Sequence, residues 1–377
     1  MELTSAIHHY LDEHQQEAYE LLLTLAQIPA PSNYEQERAR FCADWLRKNG
    51  VEGIYTDDAF NVIYPIGCTD SNSVAVFMAH SDVVFPDTTP LPLTVSGDKI
   101  HCPGVWDDTA NVVALMMAAK YIGENHLSPT EQGVLLVINS GEEGLGNLKG
   151  SRKIMEDFGS RVTEFITFDG SVNPIVNQAV GSRRFRIEVR TEGGHSYSKF
   201  GNRNAIACLA EIIHRLYAIQ VPPLGKTTYN VGTISGGTSV NTIAQYAEML
   251  YEFRSDHPDA LDIMQQCLND IILDFQNQGL DVHICLIGNR PCGRDVNPQK
   301  EAALMSRAAD AVKTYFGYEV SFRSGSTDCN IPLSMGIPSI SVSCAEGEGA
   351  HTREEYVEIG SLRPGLSLAF RLILYHF

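Results

Sequence analysis

The sequence of 377 residues predicts an α/β protein in which a small α+β domain is inserted into a larger α/β domain. Over most of the chain, short apolar runs alternate with helical stretches, which is typical of a sheet covered by helices on both faces. Between residues 183 and 290 this pattern changes. The length also exceeds the size at which a single core stops growing. We therefore assign 1–182 and 291–377 to the large domain and 183–290 to the insert.

The large domain begins with two predicted helices. Leucines at helical spacing predict the first helix over 12–28, ending before Pro29 and Pro31. The second covers 34–50 and is closed by Gly50. The later apolar runs predict four buried strands, at 73–79, 133–139, 164–168 and 338–343. A buried helix is predicted at 110–122, and a further helix at 301–317.

The insert has its own order of elements. Residues 183–191 alternate like a half-exposed strand, and helical patterns follow at 204–219 and 260–275. Strand patterns at 227–234, 248–255 and 281–287 complete the order β-α-β-β-α-β. This order predicts a ferredoxin-like domain with four strands.

Composition excludes several classes of protein. A net charge of −18 repels phosphate backbones, which argues against nucleic acid as a partner. Apolar runs are too short for a membrane span, and the first 16 residues lack the pattern of a secretory signal. The nine cysteines are scattered without a CxxC pair, so we expect reduced thiols in a cytoplasmic protein.

Side chains that can bind a metal or move a proton follow each of the four strands predicted in the large domain. In open α/β sheets, ligands bind beyond the carboxyl ends of the strands, so these side chains are expected to share one cavity. Two further aspartates stand just before the buried helix. The candidates are His80 and Asp82, Asp107 and Asp108, Glu142 and Glu143, Asp169, and His351.

Histidines and carboxylates without cysteine suit Zn²⁺ and tolerate Co²⁺ or Mn²⁺. A pair of such ions requires a carboxylate that binds both, and Asp107 is the best candidate for this bridge. His80 and Asp169 would complete one site, and Glu143 and His351 the other. The net charge of two Zn²⁺ ions, three carboxylates and a bridging hydroxide would then be zero. A buried site tolerates a cluster without net charge.

Glu142 is left for a separate task in this scheme, which is to take a proton from water and later give it to the leaving amine. Asp82 would hydrogen-bond the outer nitrogen of His80 and fix its tautomer. Simpler interpretations remain open. Adjacent glutamates are often a solvated turn, Asp108 could support the site or cap the following helix, and Asp328 could only shape its loop.

The motifs, taken in order, resemble the co-catalytic zinc peptidases and amidohydrolases that include peptidase T, carboxypeptidase G, aminoacylase, acetylornithine deacetylase and carnosinase. The resemblance covers nearly the whole chain. It rests on AHSD, WDDTA, GEEG, FDG and GAHTREEY in the large domain, on GGHSYSKFGNRNAI and GTISGGTSVNTIA in the insert, and on SGSTDCNIP before the last strand. It implies a zinc-peptidase domain with a mixed central sheet and a cis peptide bond between Asp107 and Asp108.

The resemblance also implies roles for the insert, which would form a lid and the interface of a homodimer. His195 would reach the partner's active site and stabilise the oxyanion, although its turn could be a plain loop. Asn241 and Arg254 would contact substrate, with Arg254 gripping a carboxylate, unless it is only a strand-edge cation. Ser326, in SGSTDCNIP, is a further candidate for substrate binding.

The sequence departs from the family pattern after the aspartate pair, where Thr109, Ala110 and Asn111 stand. The third acidic ligand is Asp169 and not a glutamate. In this family, Asp at this position is more typical of aminopeptidases and dipeptidases, and Glu of carboxypeptidases and deacylases. We therefore predict a metallopeptidase that hydrolyses di- and tripeptides from the amino end. An N-acyl amino acid amidohydrolase on the same scaffold is the alternative, and a non-catalytic metal-binding protein ranks below both.

Overall fold

The computed structural model describes residues 2–69, 71–293 and 295–377. It divides into two compact units. Unit 1 comprises Met1–Ala179 and Arg294–Phe377, and unit 2 comprises Val180–Gly293. Unit 1 is built on a large mixed sheet between helices, so the predicted α/β class is confirmed. Within the described ranges, none of the helices has both the length and the apolar character that crossing a bilayer requires.

The helices of the chain are α1 Ser5–Glu13, α2 Gln15–Ala26, α3 Gln36–Lys48, α4 Ala110–Glu124, α5 Lys149–Phe158, α6 Ala205–Tyr217, α7 Pro258–Asn277, α8 Pro298–Phe316, α9 Asn330–Ser334 and α10 Ile359–Ile373. The strands are β1 Tyr55–Thr56, β2 Val62–Ile66, β3 Val74–His80, β4 Thr94–Ser96, β5 Lys99–His101, β6 Gly133–Asn139, β7 Val162–Thr167, β8 Ile175–Ala179, β9 Gly181–Arg190, β10 Gly194–His195, β11 Thr227–Gly236, β12 Thr242–Ile243, β13 Tyr246–Ser255, β14 Asp281–Arg290, β15 Phe322–Gly325, β16 Ser339–Ser341, β17 Gly347–Glu348 and β18 Tyr356–Glu358.

The central sheet of unit 1 has the strand order β1-β2-β6-β3-β7-β16-β8-β15. Its four middle strands, β6, β3, β7 and β16, are parallel, whereas β2 pairs with β6 in the antiparallel sense. Unit 1 also holds a small antiparallel sheet in the order β17-β18-β5-β4. The parallel centre brings the carboxyl ends of four strands to one edge.

Strand β3 shows why the sheet is covered on both faces. Each of its residues is buried, and alternate side chains enter different cores, as the two-residue period of a strand requires. Phe77 packs into the core that includes α2, α4 and α10, whereas Val76 and Met78 pack into the core on the other face with α5 and α9. Helix α4 is itself buried along most of its length.

The N-terminal helix differs from its prediction. The chain forms α1 and α2 with a break at His14, where the predicted helix was continuous, and α1 begins earlier, with Thr4 as its N-cap. The ring of His14 lies beside the end of α1, with Nδ1 2.9 Å from the carbonyl oxygen of Tyr10. The backbone bonds from His14 to Tyr10 and from Ala18 to His14 are kept, so the break is a local change in the backbone angles of His14, which periodicity alone does not reveal.

Unit 2 contains a four-stranded antiparallel sheet in the order β11-β13-β9-β14. Helices α6 and α7 pack on one face of this sheet around Ile187, Met249 and Leu268. The long elements follow the chain as β9, α6, β11, β13, α7 and β14, and the short pair β10 and β12 forms a separate ribbon.

Candidate metal centre

The candidate residues of unit 1 lie at the carboxyl edge of the central sheet. His80 is the last residue of β3 and stands opposite Asn139, the last residue of β6. Met78 stands opposite Thr167, the last residue of β7. The loops that leave β6 and β7 therefore start at the same edge as His80. Glu142, Glu143 and Asp169 are the acidic residues that these loops place there.

Asp107 joins two histidines with its two carboxylate oxygens. Its Oδ1 lies 3.1 Å from Nε2 of His80. Its Oδ2 lies 3.2 Å from Nε2 of His351. The ring of His351 also lies 3.0 Å from Oε1 of Glu143. The end of β3 and two separate loops thus meet around one aspartate.

Among the described residues, three groups of side chains in unit 1 could each hold a metal ion, with ligand atoms within 4.8 Å of one another. Asp107 belongs to two of them, the first with His80, Asp108 and Asp169 and the second with Glu143 and His351. The third group is His80, Glu142 and Glu143. The five residues predicted as metal ligands therefore lie together, and Glu142 lies among them.

Asp82 fixes the loop that carries the glutamate pair. Its Oδ1 accepts the backbone N–H of Glu142 and its Oδ2 that of Glu143, both at 2.9 Å. Ser32 donates its hydroxyl to Oδ2 at 2.7 Å. Nδ1 of His80 faces Asp82 as well, at 3.1 Å from the backbone oxygen and 3.6 Å from Oδ1 of the carboxylate. Asp82 therefore supports both His80 and the two glutamates.

Asp108 is buried behind the site and is tied to it through the backbone. Its Oδ2 accepts the N–H of His80 at 2.8 Å, and Asn111 of α4 donates to its other oxygen. Asn111 in turn accepts the backbone N–H of Cys344 at 2.6 Å. The peptide bond between Asp107 and Asp108 is cis, as the resemblance implies.

Burial and like charge act strongly on these acids. Burial, and after it the negative charge of Asp107, raises the pKa of Glu143 to about 8. Burial raises the pKa of Asp169 to about 7, against the opposing charge of His80. For Asp107, burial is outweighed by the hydrogen bonds to His351 and His80, which hold its pKa below the ordinary value. Bonds to Asp107 and Glu143 raise the pKa of His351 to about 10.

These groups fit divalent cations. Carboxylate oxygens and imidazole nitrogens are the donors that Zn²⁺, Co²⁺ and Mn²⁺ accept. The cluster combines two imidazoles, His80 and His351, with a larger number of buried carboxyl groups. Positive charge placed between these side chains would stabilise their ionised forms.

Some supporting residues were missed by the sequence analysis. Arg38 of α3 is 1% exposed and donates to the carbonyl oxygens of Ile28 and Ser81 at 2.7 and 2.9 Å. Glu355 is also buried and bonds the segment that carries Asp107. Glu355 lies within the recognised GAHTREEY motif, which was a usable signal. Arg38 lies in a polar helical sequence that gave none.

Asp328 lies buried near the same cluster, where Asn139 donates Nδ2 to its Oδ2 at 2.6 Å. Burial, followed by the charge of Glu142, raises its pKa well above the ordinary value. Ser326 directly follows β15 and is partly buried.

In unit 2, His195 ends β10, and Asn241 directly precedes its partner strand β12. His195 pairs with Thr242 in the short ribbon, and the N–H of Ser196 donates to the backbone oxygen of Asn241 at 2.9 Å. Nδ1 of His195 accepts the N–H of Tyr197 at 3.2 Å. In the neutral ring this bond leaves the proton on Nε2, which becomes a donor.

Arg254 lies on β13 in unit 2 and has a carboxylate partner within that unit. Its Nε and Nη2 donate to the two oxygens of Glu252, at 3.0 and 3.1 Å. Arg184 also donates to Glu252, at 3.2 Å. Any substrate carboxylate held by Arg254 would compete with Glu252.

Comparisons with known proteins agree with the motifs. The family model described as peptidase family M20/M25/M40 matches residues 76–375. A putative succinyl-diaminopimelate desuccinylase DapE from Mycobacterium tuberculosis is 24% identical, over 94% of this chain and 97% of the relative. The aminopeptidase PepT of Bacillus cereus has a TM-score of 0.71 and 21% identity, over 95% of this chain and 98% of that one. The di-peptidase Dug1p of Saccharomyces cerevisiae has a TM-score of 0.75 and 14% identity, over 99% and 98%.

Proposed function

Since the chain belongs to peptidase family M20/M25/M40, whose members are metal-dependent hydrolases, we propose that it is an exopeptidase that hydrolyses di- and tripeptides from the amino end. The observation that carries this proposal is the position of Asp107, whose two carboxylate oxygens face His80 and His351. A carboxylate shared in this way is what a pair of catalytic cations requires.

The cofactor in this proposal is a pair of Zn²⁺ ions, with Co²⁺ or Mn²⁺ as substitutes. His80 and Asp169 would hold one ion, Glu143 and His351 the other, and Asp107 both. Support comes from the metal-binding groups that share Asp107. A pair of such cations supplies Lewis acidity, which lowers the pKa of water to about 7 and polarises a carbonyl group.

Glu142 is the proposed general base. A carboxylate oxygen of Glu142 accepts a proton from the attacking water and delivers it to the leaving amine. Its side chain is 5% exposed, so bulk water competes little for this proton. Asp82 holds the backbone of Glu142 and thereby sets where the carboxylate points.

Unit 2 would supply the groups that bind the rest of the substrate. His195 would donate Nε2–H to the oxyanion, which is supported by the bond that Tyr197 makes to its Nδ1. Asn241 and Arg254 of unit 2 are proposed substrate contacts, and Ser326 of unit 1 is a third. We further propose a homodimer formed through unit 2, in which His195 serves the partner's site, and size-exclusion chromatography with light scattering tests this assembly. Elution as a fully active monomer would overturn it.

A second candidate is hydrolysis of N-acyl amino acids on the same scaffold. The similarity to a putative succinyl-diaminopimelate desuccinylase favours it. The similarity to the aminopeptidase PepT and to a di-peptidase favours the first candidate. Asp169 in place of Glu, which is a feature of this sequence, also favours the peptidase.

A substrate panel decides between the two candidates. The purified chain, loaded with Zn²⁺ or Co²⁺, is offered free-amine di- and tripeptides beside N-acetyl and N-succinyl amino acids, with chelated protein as the control. We expect hydrolysis of the free-amine peptides and its loss on chelation. Hydrolysis of the acylated compounds alone would establish the second candidate, and a metal-loaded protein inert to the whole panel would favour a non-catalytic role.

The compartment proposed for this enzyme is the cytoplasm. All nine cysteines are free thiols, and most of them are buried. Unpaired cysteines in this number are usual where glutathione and thioredoxin keep thiols reduced.

A further inference from the structure

Glu355 is a buried carboxylate that takes no part in the proposed chemistry. It is 1% exposed and directly precedes β18, four positions after His351. Its Oε1 accepts the backbone N–H groups of Trp106 and Asp107, both at 2.9 Å. Its Oε2 accepts the N–H of Gly104 at 2.8 Å. One side chain thus binds three donors of the segment that carries Asp107.

This segment depends on contacts from outside itself. It leads into α4 as the turn Val105–Thr109, in which Asp107 and Asp108 have non-helical backbone angles. Backbone N–H groups that are buried must find acceptors, and those of Gly104, Trp106 and Asp107 find them on Glu355. A carboxylate accepts several of them at once, through bonds strengthened by its charge. Glu355 therefore anchors the backbone of Asp107 by a direct hydrogen bond.

The stretch of chain from His351 to Glu355 contacts both the side chain and the backbone of Asp107. At its start, Nε2 of His351 lies 3.2 Å from Oδ2 of Asp107. At its end, Glu355 holds the N–H of Asp107. The small sheet keeps the end of this stretch in place, because the N–H of Cys102 donates to the backbone oxygen of Glu355 at 3.2 Å and β18 pairs with β5.

We propose that Glu355 is a positioning residue for the metal centre, which holds Asp107 so that its two oxygens face His80 and His351 at once. This inference rests on the proposed function, because it takes Asp107 as the ligand shared by both cations. It makes a distinctive prediction. Loss of Glu355 should weaken both cation sites together, whereas loss of a ligand that serves one site should weaken that site only.

Metal titration of the full-length chain tests this proposal without any substrate. Chelator-stripped wild type, Glu355→Gln, Glu355→Asp and His351→Ala are titrated with Zn²⁺ and with Co²⁺ by calorimetry, and the visible absorption of Co²⁺ is recorded. Glu354→Gln is the matched control, because Glu354 is exposed and adjacent and the substitution makes the same change of charge.

We expect Glu355→Gln to bind both equivalents about 10–100-fold more weakly, the range typical for groups that orient metal ligands. Glu355→Asp, which keeps the charge, should recover part of this affinity. His351→Ala should lose one equivalent and keep the other, and Glu354→Gln should match the wild type. A folded Glu355→Gln variant with unchanged affinities, or one that loses a single equivalent, would overturn the proposal.

Hydrogen exchange of the wild type decides the matter if Glu355→Gln does not fold. Binding and positioning are linked reciprocally, so added Zn²⁺ should slow exchange at the amides of Gly104, Trp106 and Asp107. Exchange at these three amides that does not change with Zn²⁺ would overturn the proposal. A protein that binds two cations but cleaves no substrate would contradict the proposed function and leave this inference standing.

Discussion

The carboxylate of Asp82 accepts the backbone N–H of Glu142 at 2.9 Å, and its second oxygen accepts that of Glu143 at the same distance. The proposed base and a proposed metal ligand are therefore positioned by one buried side chain. Asp82→Asn replaces one of these oxygens with an NH₂ group that cannot accept the bond. We expect metal affinity to fall about 10–100-fold, measured by calorimetry.

Asp58→Asn is the control for this variant, because Asp58 is an aspartate of the same unit with an 84% exposed side chain. Wild-type metal affinity in a folded Asp82→Asn variant would show that these two hydrogen bonds do not support the site.

Replacement of Glu142 separates proton transfer from metal binding. Glu142→Gln keeps the shape of the side chain but removes the basic oxygen, so we expect kcat to fall about 10²–10⁴-fold. Glu142→Ala should do the same. Both variants should retain two cations, as measured by elemental analysis after dialysis. Turnover near that of the wild type would exclude Glu142 as the base. Loss of a cation would instead identify Glu142 as a metal ligand.

His195 is expected to act on the reaction and not on the metals. His195→Ala removes the Nε2–H donor, and kcat should fall about 10²–10³-fold, as found when one oxyanion donor is lost. The metal content should not change. His283→Ala is the matched control, since His283 is an exposed histidine of the same unit. A His195→Ala variant with full kcat would contradict the proposed role.

Arg38 should contribute to stability through its hydrogen bonds. Arg38→Met keeps much of the apolar stem but leaves the carbonyl oxygens of Ile28 and Ser81 without these donors. Each unsatisfied buried group costs about 1–3 kcal/mol, so for two groups the free energy of unfolding should fall by about 2–6 kcal/mol. Urea denaturation of metal-free protein measures this change. The exposed Arg40 on the same helix supplies the control, and Arg40→Met should shift stability by less than about 0.5 kcal/mol.

The pKa of Glu164 makes part of the stability depend on pH. Burial would raise this pKa, but bonds from His376 and Arg307 outweigh burial and lower it below the ordinary value of 4.5. A lowered pKa stabilises the folded state above the unfolded pKa, and this contribution is lost as pH falls through the folded pKa.

The wild type should therefore exceed Glu164→Gln in unfolding free energy at pH 6, and this difference should shrink as the pH falls below about 4. Denaturant unfolding of the two metal-free proteins at several pH values measures the difference, in which the other carboxylates largely cancel. A difference that stays constant down to pH 3 would show that Glu164 does not titrate as the structure indicates.

The sequence predicted the strands at the centre of the sheet well. Gly133–Asn139 has the predicted bounds, and β3 differs from its prediction by one residue at each end. These strands are buried on both faces, so their apolar runs are unmistakable. Prediction was poorer at the N-terminus, because the break at His14 is a change in the backbone angles of one residue. The spacing of apolar residues is the same on both sides of this residue and does not mark the change.

The sequence by itself determined which side chains are candidate metal ligands, since residue type and a position after a buried strand or before a buried helix mark out His80, Asp107, Glu143, Asp169 and His351. Only the tertiary structure decided how these residues are held. The carboxylates of Asp82 and Glu355 bond backbone N–H groups of other loops, and Arg38 bonds backbone carbonyls. Every residue except proline has the same backbone N–H and carbonyl, so such bonds leave no mark on the identity of the partner. They become visible only when the chain is folded.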